Sequence, residues 1–192
     1  MMGISNAQKS AYNILTSVLG QVITIVLGVV IPRLVLVNLG SENNGLLSSI
    51  TQVLGYASLL EAGVGLASLQ ALYKPVAEHD ETSVNAIMSA TNLYYKRTGI
   101  AYLLTVIILS AIYPVIIKSS LPYGTITIIV LISGLPGVVN YYFQGKYKIL
   151  LQAEGRTYII TNLATVIGVL TSVGKILLLL LGYGVIAVQS LY

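Results

Sequence analysis

Three ionisable residues stand inside long apolar runs: Glu61, Lys175 and Arg33. Glu61 lies in "YASLLEAGVGLASLQALYKP" (56–75), the only charge in a run that, apart from Gln52 and Gln70, is otherwise apolar, small or hydroxylated from Leu46 to Tyr73. A charged side chain near mid-membrane costs roughly 2.5–3.5 kcal/mol even on the lenient insertion scale, so it needs a partner, a watered cavity or a proton. On a continuous helix its same-face neighbours are Leu54, Ala57, Ser58, Val64, Gly65 and Ser68. Small and hydroxylated residues mark where membrane helices meet or line a cavity. Two readings stand: a structural carboxylate bonded to a neighbouring helix, or a pathway or gating group.

Lys175 sits on a similar stripe, with Thr171, Gly168, Ala164 and Thr161 beneath it on a Leu/Val/Ile-rich helix. At about 1.5 Å per residue it lies about 25 Å up its span, and Glu61 about 18 Å up its own. The two side chains bridge that offset if their spans are neighbours, giving a structural ion pair. Arg33 follows Pro32 at the far end of the first span. There it either snorkels to the headgroups or lines the outer mouth of a cavity. Arg33 and Lys175 are the two basic groups in spans that could grip a phosphate. The polar stripe of the first span (Asn13, Ser17, Gln21, Thr24 and Gly28) points away from Arg33.

Enzyme chemistry finds no footing. The single histidine, His79, stands in a polar segment beside acids, and no HExxH, GxSxG, phosphate loop or paired aspartates occur. With no cysteine a thiolate site is excluded. No catalytic residue, metal or cofactor is expected.

The elements that carry these residues are membrane helices. The 192 residues are 56% hydrophobic and 8% charged, with a mean hydropathy of +0.87, against roughly a quarter charged in soluble domains. The runs are continuous rather than alternating, which predicts helices and not a barrel. Spans are expected at 14–37, 46–73, 99–117, 123–142 and 158–181, with a sixth beginning at 183–192, within one all-α transmembrane domain covering 1–192. About ten residues after Gly182 is half a crossing, so the chain reads as a fragment. Pro114 and the "GLPG" at 134–137 predict bends. Segment 80–97 predicts a cytoplasmic amphipathic helix, capped by Asp80 and running into the third span with Val84, Ile87, Met88, Thr91, Tyr94 and Tyr95 on one side.

The basic residues orient the bundle. Lys9, Lys74, Lys96, Arg97, Lys146, Lys148 and Arg156 fall on one side, against Arg33 and Lys118 on the other. The amino terminus is therefore expected in the cytoplasm of a multi-pass plasma-membrane protein. Because the positive charge sits in membrane-flanking loops, nucleic acid is not an expected partner. Fourteen tyrosines against one phenylalanine, many at span ends (Tyr12, Tyr73, Tyr94, Tyr95, Tyr113, Tyr123, Tyr142, Tyr147, Tyr158, Tyr183), read as headgroup-level anchors.

"RLVLVNLGSENNGLLSSITQVLGYASLLEAGVGLAS" resembles the amino-terminal signature of the Wzx-type polysaccharide flippases, members of the multidrug/oligosaccharidyl-lipid/polysaccharide (MOP) exporter superfamily. There a first span ends in a basic residue, followed by Leu-Gly, an acidic turn, a glycine and a second span with "LLExGxG". "YYFQGKYKILLQAEGR" is similar to that family's basic cytoplasmic loop. The resemblance implies the first lobe of a twelve- to fourteen-helix MATE/MOP-like fold. It also implies alternating-access transport of an undecaprenyl-pyrophosphate-linked oligosaccharide, in contact with membrane lipids, the polysaccharide polymerase and the chain-length machinery. Carried over by position, Leu39, Gly40, Gly45, Glu61, Gly63 and Gly65 are motif residues, the glycines for turns and packing. A cation-coupled small-molecule antiporter of the same superfamily is the alternative, with Glu61 binding the coupling ion.

Overall fold

Gly40 decides where the first helix turns. Its backbone (φ 87°, ψ 168°) occupies a region open essentially to glycine alone, so α1 (Asn6–Ala57) is two helical rods meeting at that residue. The boundary anticipated over "NLGSENNG" is thus a single residue, and Gly45 is an ordinary helical position. Glu42, just past the turn, accepts hydrogen bonds from Ser119 Oγ (2.6 Å), Ser120 N (2.5 Å) and Ser120 Oγ (2.6 Å). These tie the turn to the connection after the third long helix. The structure, a computed structural model, describes residues 6–61, 63–117 and 119–191; Lys118 lies outside them.

The expected second span, 46–73, is not one helix. α1 gives way to a 3-10 turn at Ser58–Glu61, and α2 (Val64–Ala77) starts afresh behind Gly63 at φ 92°. α2 also runs through Pro75 rather than stopping at Lys74. α3 (Glu81–Ile116) is continuous from the amphipathic segment into the third span, as the sequence predicts. Asp80 caps it by accepting from Ser83 N at 3.1 Å and Ser83 Oγ at 2.5 Å. Those bonds hold its carboxyl below the ordinary aspartate range, the hydroxyl contributing most. Val84, Ile87 and Met88 pack inward against the core.

α4 (Tyr123–Val139) opens into a π turn (Asn140–Gln144) four residues after Pro136. It continues as α5 (Gly145–Ala153). The segment expected as a basic loop, 141–156, is therefore mostly helix. α6 (Thr157–Leu180) matches the fifth expected span within a residue. Past Gly182, α7 (Val185–Gln189) folds back on α4, where Gln189 Nε2 donates to Ser133 Oγ at 2.7 Å.

Among the described residues four helices are long and apolar enough to cross a membrane: 14–57, 81–116, 123–153 and 157–180. Glycines let them approach closely. A Cβ on Gly134 would stand 2.5 Å from Val106, one on Gly137 2.5 Å from the Tyr102 ring, and one on Gly145 2.3 Å from the Tyr95 ring. Small residues give α3 and α4 this intimacy where lipid offers no hydrophobic drive for association. The core accordingly holds Tyr95, Tyr102, Tyr113 and Tyr141. Tyr95 and Tyr113 are 2% and 7% exposed, which corrects their assignment as anchors; Tyr12, Tyr123, Tyr147 and Tyr183 are exposed as expected.

A second cluster joins the first rod of α1 to α6 and α7 through Val35, Leu179 and Val188. Farther along the same α1–α6 contact, the polar stripes of the first and fifth spans meet. Ser17, Gln21 and Thr24 share a cavity of about 400 Å³ with Thr161, Ala164 and Gly168. The Asn13 side chain lies outside the described residues.

Candidate functional site

The helix break places Glu61. A 3-10 turn followed by a left-handed glycine ends the i, i+4 ladder, so the carboxylate is aimed by the break rather than by a helix face. Tyr95 Oη, from α3, donates to Glu61 Oε1. The Tyr95 ring is wedged over Gly145 and its hydroxyl lies against Gly65, so two glycines create the space in which acid and phenol meet. Tyr141 Oη, from the π turn, donates to the Ser58 carbonyl at 3.5 Å, and it also lies within reach of the Glu61 charge.

Opposite the carboxylate stands Lys148 of α5. The two line one pocket of about 350 Å³ with Tyr95, Asn140 and Gln152, floored by Gly65, Gly145 and Ile149. Lys148 is half-buried and within electrostatic range of Glu61, yet its ammonium donates to Asn140 Oδ1. The π turn explains that bond. Residues eight apart on an α-helix point about 80° away from each other, but the extra residue of a π turn restores the alignment.

Lys175 and Arg33 are elsewhere. The expected Glu61–Lys175 ion pair does not form, because α2 packs on α3 and α5 whereas α6 packs on α1. Lys175 is half-buried on α6, and Arg33 is exposed on α1. Of the motif glycines, Gly65 borders the site and Gly63 makes the break that presents Glu61. Gly40 makes the turn, and Gly45 has open space where a Cβ would go. Sequence reasoning missed Tyr95, Tyr141, Asn140 and Lys148. The usable signal was the run Asn140, Gln144, Lys148, Gln152, a polar residue every four positions in a segment whose other members, Gly145 and Lys146 apart, are apolar or aromatic.

The site can hold a small cation or a proton on Glu61, or exchange its internal partners. Among the described residues no group of three His, Cys, Asp or Glu gathers to bind a metal. Compared with known family models, curated proteins and solved structures, the chain matches none.

Proposed function

We propose that this chain forms the first helical lobe of a flippase for undecaprenyl-pyrophosphate-linked oligosaccharides in the plasma membrane, working by alternating access with the amino terminus in the cytoplasm. One observation carries the reading. A lone carboxylate sits at a break in an apolar helix, held by a buried tyrosine and facing a lysine, at the position that the resemblance to Wzx-type flippases picks out. Breaks that present an ionisable group between membrane helices are where transporters bind substrates and coupling ions. Complementation of a strain deleted for its own flippase tests it. The gene's full reading frame should restore surface polysaccharide, and Glu61→Ala should abolish restoration at an unchanged membrane level. A frame that reaches the membrane yet restores nothing overturns the reading.

The size of the Glu61 pocket supports a second reading. About 350 Å³ suits a small ligand rather than an oligosaccharide, as a cation-coupled antiporter would require. Efflux of a lipophilic dye that follows an imposed sodium or proton gradient, and fails in Glu61→Gln, separates the two.

A further inference from the structure

Lys148 stands in two walls at once. Behind the Glu61 pocket, α4, the π turn and α5 diverge from α6 and leave a groove of about 1030 Å³. Leu135, Val139, Leu151, Ile159, Leu163 and Ile167 make most of its surface apolar, and Lys148 with Asn140, Gln144 and Tyr147 supplies its polar part. Tyr147 and Gln144 are exposed there. Lys148 lies five residues from the end of α5, about 8 Å of helix, which is headgroup depth for a span ending at the 154–156 connection. Lysine carries three donors; Asn140 takes one, and Glu61 is near without forming an ion pair. Lys146 and Arg156 add positive charge at the same end of the bundle.

A long apolar slot with a lysine at headgroup depth complements one kind of occupant, an anionic lipid. Basic pockets between membrane helices recognise such headgroups. We infer that this groove holds a resident anionic phospholipid of the surrounding bilayer, its phosphate on Lys148 and its acyl chains between α4–α5 and α6. Bound there, the lipid competes with Glu61 for Lys148 and fills the seam between α6 and the α4–α5 unit. The inference does not depend on the transported substrate.

The 192-residue chain, purified from micelles containing equal phosphatidylglycerol and phosphatidylcholine, is weighed with its retained lipid by native mass spectrometry. The wild type should keep phosphatidylglycerol over phosphatidylcholine by about fivefold, the worth of one lysine at the membrane surface. Lys148→Gln should bring the two to parity, and Lys74→Gln, exposed and outside the groove, should not. Leu163→Trp, at an exposed groove position, should lower retention of both lipids and serves if Lys148→Gln fails to fold. Parity in the wild type, or an undiminished preference in a folded Lys148→Gln, overturns the inference. So does complete displacement of phosphatidylglycerol by equimolar undecaprenyl phosphate, which would make the groove the seat of a carrier lipid.

Discussion

Tyr95 does two separable things: its ring fills the space over Gly145, and its hydroxyl serves Glu61. Tyr95→Phe keeps the first and removes the second. A hydrogen bond to a charged group is worth about 1.5–3 kcal/mol, and unfolding of the purified protein in mixed detergent should show a loss of that size. Adding Glu61→Ala should then cost far less than the two single losses combined, since both changes break one interaction. Glu61→Ala combined with Lys175→Ala should instead be additive, because those residues sit in different parts of the bundle. Additivity in the first pair, or strong coupling in the second, contradicts the arrangement described. Glu61 was legible in the sequence because a lone charge in an apolar run demands explanation. Its partner was not. The neighbour count assumed an unbroken helix through 58–63, and tyrosine at a span end reads equally as an anchor or as a buried donor.

Breaks rather than helices shape the elements that matter. The fifth span was legible to a residue, because an uninterrupted apolar run with few competing signals leaves its limits no alternative. Segment 141–156 reads as a basic cytoplasmic loop from its similarity to such a loop and from Lys146, Lys148 and Arg156. Packing of Tyr95 on Gly145 and of Ile149 in the core overrides that reading. Gly40 and Gly45, five residues apart, show how unlike one another two glycines can be. Gly40→Ala forces a Cβ into a backbone region closed to it and should destabilise by about 1–3 kcal/mol, although nothing crowds the site. Gly45→Ala has the same open space but helical geometry, and should be stabilising by about 0.5–1 kcal/mol. Opposite signs are expected in the same unfolding assay; equal losses would mean that the chain does not turn at Gly40 alone.

At the scale of the whole molecule the connections alternate between two ends. Glu42 with Ser119 and Ser120 marks one end. His79, Glu81, Glu154 and Arg156, around one cavity, mark the other. Single cysteines at Ser41 and Ser119 should therefore behave alike toward an impermeant thiol reagent. Cysteines at Ser83 and Glu154 should behave in the opposite sense, reacting only after the membrane is opened if the positive-inside count holds. Mixed labelling within either pair contradicts the topology. The first rod of α1, meanwhile, finds its packing partners in α6 and α7. Those helices leave the ribosome roughly 120 residues after it. At translation speeds of about 5–20 residues per second, that rod waits roughly 6–24 s alone in lipid, with Ile14, Leu15, Val18, Val22 and Val29 turned outward. Its nearly uniform apolar surface is what such a wait demands. The polar stripe through Ser17, Gln21 and Thr24 is the part that biosynthesis leaves unattended longest, and the part a membrane chaperone or insertase would have reason to shelter.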